Sequence, residues 1–228
     1  MSPDTMSPDM MSRMRRSKKH EGGFAMASRA VVIALLLTIG GAYGCGAVPQ
    51  TKYYQLTPPR EAISPSAGEP LPIILLVGPL RASHLYREDR LVYATGSEEM
   101  GAYQIHRWTE PPTEMMRDLL WRTLRQSHRF SAVYLLSSSS HGDFLLQGNL
   151  YDFKELSGST EAARVDLELE LREIKTGAIV WTHEYTHDEP VTGKGVSAVV
   201  AAMDQNAQRG VSEAEASLNE YFAARARR

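Results

Sequence analysis

Val165-Asp-Leu-Glu-Leu-Glu-Leu-Arg172 alternates aliphatic and charged residues without interruption. A strand sends successive side chains to opposite faces, so this spacing puts Val165, Leu167, Leu169 and Leu171 on one face. Asp166, Glu168 and Glu170 take the other. Lys175-Thr-Gly177 reads as a turn, and residues 178–186 return with Ile179, Trp181 and His183 alternating. The two runs predict an antiparallel hairpin with one dry face and one wet face.

Upstream, residues 143–155 hold Phe144, Leu146, Gly148 and Leu150 in the same alternation and predict a long strand. Shorter strands are expected at 53–56, at 72–77 closed by Gly78-Pro79, at 90–95 and at 132–136. Residues 96–101 read as a polar turn. Thr109 as cap and Pro111-Pro112 in the first turn predict a helix whose apolar face is Met116, Leu119, Leu120, Thr123 and Leu124. A second helix is predicted from 197 to about 224. Val200, Met203, Ala207, Val211, Ala214, Leu218 and Tyr221 form its seam, and Gly210 marks a bend or a close approach. The fold class is α+β: one domain with an antiparallel or mixed sheet and two long helices packed on one face.

The 228 residues contain one cysteine, Cys45, directly after an apolar run from Ala30 to Gly44. That run is too short for a bilayer core, which needs about 20 apolar residues, and it suits a signal-peptide core. Arg13, Arg15, Arg16, Lys18, Lys19 and Arg29 precede it. The segment reads as a lipoprotein signal with Cys45 as the lipidated residue. A conventional cleaved signal and an uncleaved anchor are the alternatives. Ala42 and Tyr43 stand where a lipobox ordinarily carries Leu and a small residue. The start falls at Met1 or at Met26, which opens a compact signal. The expected organisation is 1–44 extension and signal peptide, 45–52 lipidated tether and 53–224 folded domain. A tether of this length reaches roughly 25 Å.

Residues 1–44 hold six basic and three acidic side chains, so the remainder carries a formal charge of −5. An acidic domain argues against nucleic acid as a partner. With one Cys there is no intramolecular disulfide and no thiolate zinc site. His183 and His187 are four apart, but on a strand that spacing is about 13 Å, too far to share an ion. Asp166, Glu168 and Glu170 read as a solvated face. Gly193-Lys194-Gly195 lacks the spacing of a phosphate loop. No cofactor is expected, and neither is an enzyme.

Several motifs recur in a fixed order: Cys45, Tyr53-Tyr54-x-Leu56, Val77-Gly78-Pro79, Tyr86-Arg87, Arg90-Leu-Val-Tyr93, Arg107-Trp-Thr-Glu-Pro-Pro112, Leu150-x-x-Phe153 and Ala201-Ala-Met203. In order and spacing the chain resembles the ABC-type transport auxiliary lipoproteins, the PqiC-like group. That resemblance implies a non-enzymatic outer-membrane lipoprotein facing the periplasm. Its partner would be the MCE-domain protein of a system moving phospholipid or related hydrophobic substrates between the membranes. A homo-oligomeric ring is a further implication, and Gly46 fits outer-membrane sorting. The expected partner-binding residues are Tyr86, Arg87, Arg90, Tyr93 and Tyr103, types enriched in interface hot spots. The alternatives are an envelope assembly or activator lipoprotein acting on a cell-wall enzyme or secretion machine, and a periplasmic lipid or metal binder acting alone.

Overall fold

The computed structural model describes residues 49–58, 69–96, 98–137, 141–158 and 160–227. Cys45 and the signal segment lie outside the described residues. Gln50–Arg228 is one compact unit. Its strands are β1 (Lys52–Tyr54), β2 (Leu71–Ala82), β3 (Arg90–Thr95), β4 (Glu99–Trp108), β5 (Phe130–Leu135), β6 (Phe144–Ser157), β7 (Ala162–Glu173) and β8 (Ile179–Pro190). The helices are α1 (Pro112–Gln126), between β4 and β5, and α2 (Val196–Ala226), after β8. Among the described residues no helix is long and apolar enough to cross a membrane.

The fold is α+β, with a mixed eight-stranded sheet. β6 is its hub. β7 runs antiparallel along the whole of one edge. The opposite edge is shared end to end: β2 runs parallel to residues 144–150, and β3 to residues 155–157. β5 extends the sheet beyond β2 in parallel. β4 lies antiparallel to β3, and β1 is parallel to β4.

The alternation in β7 does what its chemistry requires. Val165, Leu167, Leu169 and Leu171 are buried against the helices. On the other face, Glu168 accepts from Asn149 at 3.1 Å, and Glu170 accepts from Gln147 at 2.6 Å. These cross-strand bonds satisfy the carboxylates individually and do not converge on a reactive centre.

Several details differ from the sequence reading. β2 continues through Gly78-Pro79 because its pairing with β6 is irregular between Val77 and Leu80, where a proline is tolerated. The expected turn at 96–101 is shorter, and β4 begins at Glu99. Pro111, not Thr109, is the N-cap of α1; Thr109 lies two residues earlier, where its amide donates to the Tyr54 carbonyl at 2.7 Å. In the α2 seam Val199, not Val200, fills the first buried position and Phe222, not Tyr221, the last.

α2 is fixed to the sheet by a polar clasp. Asn206 is wholly buried, and its Nδ2 donates to the carbonyls of Ala163 at 2.7 Å and His187 at 2.8 Å. The Tyr185 hydroxyl donates to Asn206 Oδ1 at 2.6 Å. One turn further on, the Tyr185 ring lies against Gly210. A Cβ there would stand 2.7 Å from Tyr185 Cε1, which is the close approach that the glycine signalled. Burial, and then Glu213, push the Tyr185 hydroxyl up to about 12.

Gly210→Ala is expected to cost about 1–3 kcal/mol by overpacking. Asn206→Leu is expected to cost more, because it strands two buried carbonyls and a hydroxyl. Both act through Tyr185, so the double variant should lose less than the sum of the two, measured by denaturant unfolding. The Tyr185 shift has a definite sign. The folded state holds the proton more tightly than an unfolded tyrosine near 10, so stability is full below that pH. It declines as pH rises toward 12. Unfolding midpoints across that range should fall less steeply in Tyr185→Phe.

Candidate functional site

Both helices cover the same face of the sheet, but they do not cover all of it. α2 packs on β6, β7 and β8, and α1 packs on β2, β5 and the turn at His84–Arg87. The β1–β4–β3 end of that face carries half-buried aromatic rings. Tyr93 on β3 lies across Gly101 on β4, where a Cβ would fall 2.4 Å from the Tyr93 ring. Tyr103 stands edge-on to Tyr93, with centroids 5.2 Å apart. His106 stands edge-on to Tyr103 at 5.5 Å and stacks on Tyr54 of β1 at 5.8 Å. A 3.0 Å hydrogen bond joins the Tyr54 hydroxyl and His106 Nδ1.

One buried carboxylate anchors this row. Glu155 of β6 is 5% exposed and accepts from the Tyr103 hydroxyl at 2.8 Å and from the Ser157 hydroxyl at 2.6 Å. Burial and the Glu155 hydrogen bond raise the pKa of Tyr103, so its phenol stays a donor at any physiological pH. The row is therefore a rigid aromatic surface with fixed polar tips. Such a surface can bind a partner.

The five expected partner-binding residues divide. Tyr93 and Tyr103 come together in the row. Arg87 and Arg90 are exposed where the chain enters β3, with Arg90 3.6 Å from Glu88. Tyr86 is a correction: it is 1% exposed and packs in the core. Its short turn points the ring inward, and the hydroxyl donates to Asp152 at 3.0 Å, so the whole side chain is satisfied internally. Burial, then the Asp152 charge, raise its pKa. Tyr54, His106 and Glu155 complete the row and were not foreseen as site residues. Tyr54 and His106 meet only through the parallel β1–β4 pairing.

The segment after β1 is clipped to α2. The Thr57 amide and hydroxyl both donate to the Asp204 carboxylate, at 2.8 and 2.7 Å. A groove of about 190 Å³ lies between this segment and the first half of α1. His183 and His187 both lie in β8. His183 stacks on Trp181, while His187 lies 3.3 Å from Glu189. Among the described residues no group of His, Cys, Asp and Glu is arranged to hold a metal ion.

The profile of the ABC-type transport auxiliary lipoprotein component matches residues 54–214. The chain belongs to this family. Its match runs from Tyr54, in the aromatic row, to Ala214, in the α2 seam. Among solved structures the chain is similar to protein XCC0632 from Xanthomonas campestris, with 21% identity and a TM-score of 0.68 over 78% of this chain and 100% of that one. It is also similar to an uncharacterized protein, with 15% identity and a TM-score of 0.59 over 75% and 99%. At these identities the likeness shows the fold. No curated protein matches the chain. The family is one of auxiliary lipoprotein components of ABC-type transport systems.

Tyr103→Phe should leave Glu155 with Ser157 as its remaining hydroxyl donor. The expected loss is about 1–3 kcal/mol in denaturant unfolding. The same substitution in a Glu155→Gln background should cost less, since no buried charge is then abandoned.

Proposed function

We propose that this protein is a lipid-anchored, non-catalytic subunit at the outer membrane. There it receives the periplasmic MCE-domain protein of an ABC-type system that moves phospholipid or a related hydrophobic substrate between the membranes. The observation that carries this reading is the half-buried aromatic row at the β1–β4–β3 end of the sheet. Tyr54, His106, Tyr103 and Tyr93 are half-buried on β1, β3 and β4, away from the strands on which α1 and α2 chiefly pack among the described residues. Tyrosine and arginine are the residue types that dominate interface energies, and Arg87 and Arg90 flank the row at the start of β3. Membership of a transport auxiliary family supports a partner-binding role. The carboxylates on the opposite face, tied up in cross-strand hydrogen bonds, support the absence of catalysis.

In this reading two or more acyl chains at Cys45 hold the domain at the bilayer, since a single chain binds only marginally. The short tether keeps the domain near the membrane, so the partner has to extend to it. Self-association into a ring would use the outer edges of β1 and β8, each of which has one strand neighbour among the described residues.

Labelled palmitate should enter the wild-type protein in cells and not Cys45→Ser. Capture of the system's MCE-domain protein by the purified protein should weaken at least tenfold in Arg87→Glu/Arg90→Glu. Undiminished capture would remove those arginines from the interface.

A further inference from the structure

The C-terminal half of α1 and its exit carry a concentration of cations that the acidic chain does not balance. Arg122, Arg125, His128 and Arg129 fall in one short stretch. Arg122 lies 3.9 Å from Asp118, a solvent-exposed pair of small consequence. Among the described residues, Arg125, His128 and Arg129 have no carboxylate within ion-pair distance.

The two helical arginines gather on an aromatic ring instead. The Arg125 guanidinium lies 4.7 Å from the Trp121 centroid, and that of Arg122 lies 5.8 Å away. The indole N–H donates to the Val133 carbonyl at 3.2 Å. The Leu136 amide bonds to Val77 of β2, so by alternation Val133 presents its polar groups to the outer edge of β5. An open groove of about 450 Å³ runs there, lined in part by Trp121, Arg125 and His128. Tyr134, 55% exposed, and Leu136, 43% exposed, continue the apolar surface around that edge.

We propose that this patch rests on an anionic phospholipid surface. Guanidinium groups match phosphate oxygens in geometry and charge. Indole and phenol rings settle at the headgroup level, with their apolar bodies toward the acyl chains and their polar tips in water. The cation–π stack holds the guanidinium groups over the ring while leaving their N–H donors outward. An added β-strand is a poorer occupant of this edge, because the indole already takes the Val133 carbonyl that such a strand would need. The patch would fix which side of the domain faces the bilayer, something an anchor at one end of the chain does not do by itself.

The test uses residues Gln50–Arg228. This unit contains the whole core, and it matches in extent a solved chain from Xanthomonas campestris that is covered over its full length. The unit lacks Cys45, so any binding owes nothing to acylation. It is mixed with vesicles of phosphatidylcholine alone and with vesicles that also contain phosphatidylglycerol. Co-sedimentation is expected only with the second, accompanied by a blue shift in tryptophan emission, and it should weaken with added salt. Arg122→Gln and Arg125→Gln should each reduce binding about fivefold, with thermal unfolding unchanged. Absence of binding, equal binding to neutral vesicles, or undiminished binding by the variants overturns the proposal. So does capture of polyglutamate in preference to vesicles, which would assign the patch to an acidic polypeptide. The proposal stands apart from the docking reading, since the aromatic row is intact in both variants and MCE-protein capture is measured separately.

Discussion

One side-chain amide decides where the long helix lies. Asn206 has no exposure to water, and a buried amide is tolerated only when its donors and acceptor are all matched. Its matches are two carbonyls on neighbouring strands and the Tyr185 hydroxyl, and all of them belong to the β7–β8 hairpin or its cross-strand contacts. Sliding α2 by one turn would break all three bonds and drive a side chain into the place that Gly210 leaves for the Tyr185 ring. With α2 held over β7 and β8, α1 packs beside it over β2 and β5. The two helices together are too narrow for the whole sheet. Among the described residues the aromatic row is the part left half-buried, so the clasp over β7 and β8 bears on the surface at the β1 end.

What could be read from the chain alone follows from how local each signal is. The alternation from Val165 to Leu171 is complete within eight residues, and both its faces are as expected. The apolar face of α1 is equally local. β4 was missed for a physical reason: neither of its faces is fully buried, and its pairing with β3 slips between Arg90 and Val92, so no period of two survives. Gly78-Pro79 looks like a strand end in isolation, and only the irregular β2–β6 register makes room for it. Tyr86 shows the limit most plainly. A tyrosine has an apolar body and a polar tip, and the sequence does not say which way a short turn will point it. Tyr54 and His106 are far apart in the chain, and they meet because β1 joins the sheet at its outer edge.

Carboxylates on the open face of the sheet are engaged one by one, the buried Glu155 serves to orient a phenol, and the two β8 histidines turn to separate partners. Two surfaces remain with unspent character. The aromatic row lies at the β1 edge and suits a protein partner. The Trp121 patch lies at the β5 edge and suits an anionic lipid. A domain with these at opposite edges of one sheet could hold a membrane on one side and a transport assembly on the other, which fits membership of an auxiliary lipoprotein family.

The most direct measurement places a photo-crosslinking amino acid at position 103, within the aromatic row, or at position 184, on the exposed far face of the sheet, and irradiates living cells. The account predicts capture of an MCE-domain transport subunit from position 103 and not from position 184. Capture from position 184 alone, equal capture from both, or a cell-wall enzyme as the sole product from position 103 would contradict it.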